Sequence, residues 1–179
     1  MKFKLPIWLC VVISLVLVAF GLCYGTVTGY ADERAHVTDL IAGESGLGAV
    51  LSYRGADGLN LCVVAERHLS GDADVATLQA AAKAAQSESG ALDARKAADA
   101  ALQSAFAKVA GKLAADPGFQ QSERDKRYLD MLQTDFDNLA RSGIIKTYNE
   151  AVQTFNQKLN KPVSGFIATL VGVKPCETY

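Results

Sequence analysis

The sequence predicts an all-α protein in which a single N-terminal transmembrane helix is followed by an antiparallel bundle of about four long helices. Three observations carry this. Ile7 to Tyr24 is an almost unbroken apolar run, Ala crowds residues 76 to 115, and apolar residues recur at three- and four-residue spacing through most of the remainder. Only four Pro and 8% aromatic residues argue against a sandwich or barrel. At 179 residues and 50% hydrophobic, the chain has room for one packed domain plus one extra segment. Its net charge of -1 and pI near 6.1 do not supply the clustered Lys and Arg that phosphate neutralisation needs, so nucleic acid is not an expected partner.

The first element is the membrane segment. After Lys2 and Lys4 no charge appears until Asp32. With Gly25 to Ala31 attached, the run covers the ~30 Å hydrocarbon layer at about 1.5 Å per residue, so residues 5–31 are the expected lipid contact. Its length favours a retained signal anchor, residues 1–31, over a cleaved signal peptide, although Gly29-Tyr30-Ala31 offers small residues for cleavage. Leu22 before Cys23 disfavours a lipoprotein site. Lys2 and Lys4 favour a cytoplasmic N-terminus, which places the body, residues 32–179, outside. Without those two, the 18 Lys and Arg fall to 16 against 19 Asp and Glu, a balance that suits a solvated bundle rather than a polybasic lipid-binding surface.

Helical spacing then resumes over residues 32–54, interrupted by Gly43, Gly46 and Gly48, and "RGADG" at Arg54 to Gly58 reads as a break before the apolar run Leu59 to Leu69. "SGDAD" at Ser70 to Asp74 kinks or re-caps the chain. Within the Ala-rich region, Leu102, Phe106, Val109 and Leu113 step by four, three and four, and "SESG" at Ser87 to Gly90 separates two helices. Asp116-Pro117-Gly118 stops the later one, because Pro disfavours helical geometry in the residue before it. Ser122 to Asp125 has the form of a capping box opening the last helix. Ser142-Gly143 reads as a kink or register slip within that helix, not as a turn. The helix is expected to end before Pro162, leaving an apolar tail, residues 162–179, to be covered by the bundle, the membrane or a partner.

Residues able to carry chemistry are few. No metal site is expected, since there is no Cys-x-x-Cys and His36 and His68 lack helix-spaced ligand companions. No cofactor is expected either. Cys62 and Glu66 share a helix face while His68 turns away, so no triad is formed and no enzyme activity is expected. Cys10 and Cys23 lie in the membrane segment; Cys62 and Cys176 read as independent residues rather than a pair. Gly43, Gly46 and Gly48 admit two readings, close helix contact or a loosened pocket for a small ligand.

Tyr148, Val152, Phe155 and Leu159 also step by four, three and four, with Asn149 and Asn156 beside the seam. The run Tyr148-Asn149, Val152, Phe155-Asn156, Leu159, then Ala168, Gly172, Lys174-Pro175 and Tyr179, resembles the closing motif of the LemA family. More weakly, Tyr30, Arg54, Asn60 and Leu61 resemble its N-terminal half. The chain departs from the family at Asn160-Lys161-Pro162-Val163, where a Phe-Pro step is lost, and at Glu44, Asp57 and Leu59. The resemblance implies a single-span protein of the bacterial inner membrane with a helical-bundle body and no catalytic residues. A scaffold or adaptor that docks a partner protein or a second copy near the bilayer is the function expected, with a ligand-binding sensor bundle of the envelope as the alternative.

Overall fold

The computed structural model describes residues 6–87, 91–162 and 164–179. Lys2, Lys4, residues 88–90 of the expected separator, and Val163 lie outside the described residues. Every regular element among those described is helical.

Helix α1 (Ile7–Ala42) carries the apolar run and continues past Asp32 without interruption. At about 1.5 Å per residue, its 36 residues extend roughly 54 Å. Trp8, Leu15, Leu17 and Phe20 are exposed along it, and only Tyr30 and Val37 are buried. No residue of its apolar window is covered by the rest of the chain, and among the described residues it is the one stretch apolar enough to cross a membrane.

The chain forms two compact units. The first comprises the chain up to Thr38 together with Glu150–Thr178, and the second Asp39–Asn149 with Tyr179. The expected boundary at residue 31 falls inside α1.

Helices α2 (Leu47–His68), α3 (Ala73–Gln86), α4 (Leu92–Ala115), α5 (Pro117–Gln121) and α6 (Glu123–Ala140) build the second unit. Its core joins Leu61 and Val64 of α2, Leu78 and Ala82 of α3, Leu102, Phe106, Val109 and Leu113 of α4, Phe119 of α5, and Leu129, Leu132 and Phe136 of α6. Full burial of one such large apolar side chain is worth about 1.5–3 kcal/mol, so this shared core outweighs local propensity. Phe106 and Phe136 stack with centroids 4.2 Å apart. Two helix starts are capped where the sequence suggests: Asp72 accepts from the Asp74 N–H at 2.8 Å and Ser122 from Asp125 N–H at 3.3 Å. Asp116, expected only to stop a helix, also caps α5, accepting from Phe119 N–H at 2.7 Å. Pro117 both ends α4 and opens α5.

Two sequence expectations are corrected. Arg54 to Gly58 is not a break: α2 runs through it, and the interruption lies at Gly43 to Gly46. Gly55 and Gly58, three residues apart on one face, are where helices approach closely. A Cβ on Gly55 would lie 2.7 Å from the Ala82 carbonyl oxygen, and one on Gly58 2.8 Å from Leu102 Cδ1. Conversely, Ser142-Gly143 is more than a kink. Arg141 and Ser142 leave the helix, and α7 (Gly143–Leu159) begins as a separate element. Ser142 Oγ accepts from Ile144 N–H at 3.5 Å there, as Ser does outside helices.

Part of the tail forms a short helix, α8 (Ser164–Leu170). Gly172, at φ +84°, ends it in the left-handed conformation. Its N–H donates to Thr169 O at 3.0 Å and that of Val173 to Ala168 O at 2.9 Å, the paired bonds of a Schellman motif.

The close approach at Gly55 yields a test with opposite signs at two glycines. Gly55→Ala should destabilise by about 1–3 kcal/mol, because overpacking outweighs better helix propensity. Gly111→Ala, in open space on α4, should stabilise by about 0.5–1 kcal/mol. Urea unfolding followed by circular dichroism reads both.

Candidate functional site

The residues of the C-terminal run divide between core and hydrogen bonding. Tyr148, Val152 and Phe155 are buried and Leu159 is partly buried, so the expected seam faces inward. The two Asn residues beside it hold the C-terminal segment. In the first unit, Asn156 Nδ2 donates to Cys176 O at 2.8 Å and its Oδ1 accepts from Cys176 N–H at 2.9 Å. In the second, Asn149 Nδ2 donates to Tyr179 O at 3.1 Å and Oδ1 accepts from Tyr179 N–H at 2.7 Å. Each amide thus satisfies one residue's backbone donor and acceptor together, as a neighbouring strand would. Ala168 is buried on α8, whereas Lys174 and Pro175 are exposed. Pro175 has no N–H to satisfy, which suits an exposed segment.

Arg54 is the most deeply buried cation described, at 3% exposure. Its guanidinium donates to Asp99 and Gln103, one turn apart on α4, and lies 4.2 Å over the Phe136 ring of α6. The second oxygen of Asp99 accepts from the Tyr179 hydroxyl at 3.0 Å. Burial first, then the Asp99 carboxylate, push the Tyr179 phenol pKa up, so it remains a donor throughout the neutral range. Of the other weak-match residues, Leu61 is fully buried in the core. Asn60 is exposed beside a groove of about 740 Å³ that Arg67, Asp125 and Met131 also line.

Three further places bear on chemistry. At the expected glycines, a groove of about 710 Å³ is lined by Glu44, Ser45, Gly48, Ser52, Tyr53 and Arg95. A Cβ on Gly48 would sit 3.1 Å from Arg95 Nη1, and one on Gly46 within 2.9 Å of three backbone carbonyls. Gly46 therefore serves close backbone approach, and Gly48 makes room for a cation at a polar groove.

A second groove of about 420 Å³ holds Asp57 and Asp135 with Tyr53, Asn138 and Ser142. Asp57 Oδ2 is buried without a hydrogen bond. Burial, then the Asp135 charge, raise the Asp57 pKa to about 6, against the opposing pull of Arg54.

The third is His68, which the sequence left without companions and the fold supplies with two carboxylates. Its Nε2 lies 2.8 Å from Asp125 Oδ2 and its Nδ1 3.7 Å from Asp116 Oδ1, while the ring packs edge-on against Phe119. Arg67 also donates to Asp125, at 2.9 Å. The His68 hydrogen bond foremost holds the Asp125 carboxyl below its usual pKa. The Nε2 contact is a hydrogen bond, whereas the 3.7 Å Nδ1 contact is an ion-pair distance only. Cys62 is separate from it: its Sγ donates to Val75 O at 3.7 Å, and burial pushes the thiol pKa up to about 11, away from the reactive thiolate. All four cysteines are free thiols.

Among the described residues, no group of three or more His, Cys, Asp or Glu is placed to hold a metal ion. Neither a family model, nor a curated protein, nor a solved structure matches the chain.

Two measurements follow from this geometry. Asn149→Asp and Asn156→Asp keep the acceptor but replace the donor, setting a carboxylate against a carbonyl. Each should cost about 1–3 kcal/mol and raise amide exchange in residues 173–179, read by hydrogen exchange and mass spectrometry. For Asp57, a folded pKa near 6, above the ordinary carboxyl value of 3.8, means its stabilising contribution is complete below that lower value. It is then lost as pH rises through about 6. Asp57→Asn should therefore gain stability over the wild type progressively from pH 4 to 7, and the difference between the two unfolding curves isolates this group.

Proposed function

We propose that this chain is a membrane-anchored scaffold or adaptor, a divergent LemA-like protein whose helical body docks a partner protein or a second copy close to the bilayer. The observation that carries the reading is α1. Its apolar half is uncovered by the rest of the chain, and its polar half continues into the body in the same helix. An uncovered apolar helix of this length is stable in hydrocarbon and poorly placed in water. The compartment we propose is the bacterial inner membrane, with an antiparallel bundle on the extracytoplasmic side. His68 is bonded to Asp125, Cys62 donates to Val75 O and the Arg54 network joins α2 to α4, so each of these groups has a structural partner, which supports a non-catalytic role.

A second reading, a sensor bundle of the envelope, is favoured by the polar groove that Tyr53 and Arg95 line with Glu44, Ser45 and Ser52. Its chemistry would suit a small polar ligand with an anionic group.

A C-terminal tag on the full chain tests the topology. Protease added to spheroplasts should remove the tag, and protease added to sealed inverted vesicles should leave it. The reverse result places the body in the cytoplasm. Crosslinking followed by mild detergent extraction should recover a stoichiometric partner or a homo-oligomer, and a clean monomer at native abundance argues against the scaffold.

A further inference from the structure

Within the first unit, α1 and the end of α7 enclose a groove of about 410 Å³ lined by Gly21, Leu22, Gly25, Thr26, Gly29, Tyr30, Glu33, Lys158 and Lys161. From Ile7, about 20 residues at ~1.5 Å each cross a ~30 Å hydrocarbon layer and reach Thr26. Gly21, Leu22 and Gly25 then lie at acyl-chain depth, while Gly29 to Glu33 lie in the headgroup layer on the body's side. The end of α7 is fastened at that second level. Tyr30 OH donates to Lys158 O at 2.9 Å, the Tyr30 ring packs edge-on against Phe155, and Lys158 Nζ pairs with Glu33. Two ammonium groups against one carboxylate thus rim the polar end of a groove whose apolar end is open. At Gly21, Gly25 and Gly29, a Cβ would meet nothing within 4 Å, so this floor is bare.

We propose that this groove binds one anionic phospholipid of the surrounding bilayer, its acyl chain along Gly21 and Gly25 and its phosphate at Lys161 and Lys158. The net charge of the rim, one positive, matches a single phosphate. Charge complementarity at headgroup depth favours a lipid over a second copy of α1. Lysine ammonium groups anchored at an interface are suited to phosphate, and the Lys stems can lie along apolar surface.

The inference rests on α1 spanning the membrane, and resistance of the full chain to carbonate extraction reads that premise separately. The test is native mass spectrometry of the full chain released from nanodiscs containing equal phosphatidylglycerol and phosphatidylcholine. The wild type should retain one phosphatidylglycerol at least fivefold in preference to phosphatidylcholine. Lys161→Glu should reduce that preference to near one, and Gly25→Leu, which fills the floor, should lower retention of both lipids. Circular dichroism checks that each variant keeps its helix content, and Lys161→Gln gives an intermediate preference if charge is the cause. Equal retention of the two lipids by the wild type overturns the proposal. So does a Gly25→Leu variant that turns a dimer into a monomer with lipid retention unchanged, which assigns the groove to a second copy.

Discussion

A buried guanidinium sets the terms for the second unit. Removing Arg54 from water carries a penalty of several kcal/mol that only close, well-directed partners offset. Those partners come from separate parts of the chain: Asp99 and Gln103 from α4, the Phe136 face from α6, and Tyr179 through Asp99 from the C-terminus. A shift of α4 by one residue would carry Asp99 and Gln103 off the face that α2 presents. Apolar packing among Leu and Ala side chains tolerates such slips far better, because its energy depends on area more than direction. The Arg54 cluster therefore supplies register where an Ala-rich core supplies mostly cohesion. It is also stacked into that core, since Phe136 meets Arg54 on one side and Phe106 on the other.

The C-terminal segment is held by a different logic. Asn149 and Asn156 read backbone, which every residue except Pro can offer in full, whereas the Tyr179 hydroxyl on Asp99 is a side-chain contact specific to residue type. The heptad in α7 consequently serves two neighbours at once. Tyr148 and Phe155 are buried, and the next residue along, a turn of about 100° away, reaches the tail. Gly172 lets the chain reverse out of α8 and begin that approach.

Much of this was legible because it is local. The caps at Asp72 and Ser122, the stop at Pro117, the seam in α4 and the heptad in α7 each depend on residues within a few positions of one another. Glycine was legible in position but not in sign. Gly43 and Gly46 interrupt a helix, whereas Gly55 and Gly58 permit one, and only the presence of Ala82 and Leu102 opposite them decides which. His68 shows the same limit: its carboxylates lie 48 and 57 positions away, on α5's cap and on α6, where no helical spacing can point. For Asn149 and Asn156 the residues were visible and their partners were not, because Tyr179 and Cys176 lie 30 and 20 positions away.

On the proposed span, continuity between α1 and the body bears most directly on what the protein is able to reach. Many single-span proteins attach a domain through a flexible linker, whose reach grows with the square root of its length. Here α1 passes from apolar to polar residues inside one helix, and the first unit closes on it at Tyr30, Glu33 and Val37. On the proposed span, Tyr30 lies only about 6 Å beyond the hydrocarbon boundary at Thr26, so the end of α7 is held at the headgroups without a tether's freedom. Short α8 follows from that point, with Phe166 67% and Leu170 72% exposed while Ala168 is fully buried. On that proposed placement, an apolar face starting five residues after Lys161 would have lipid within reach, and contact there would remove from water the surface that α8 leaves uncovered.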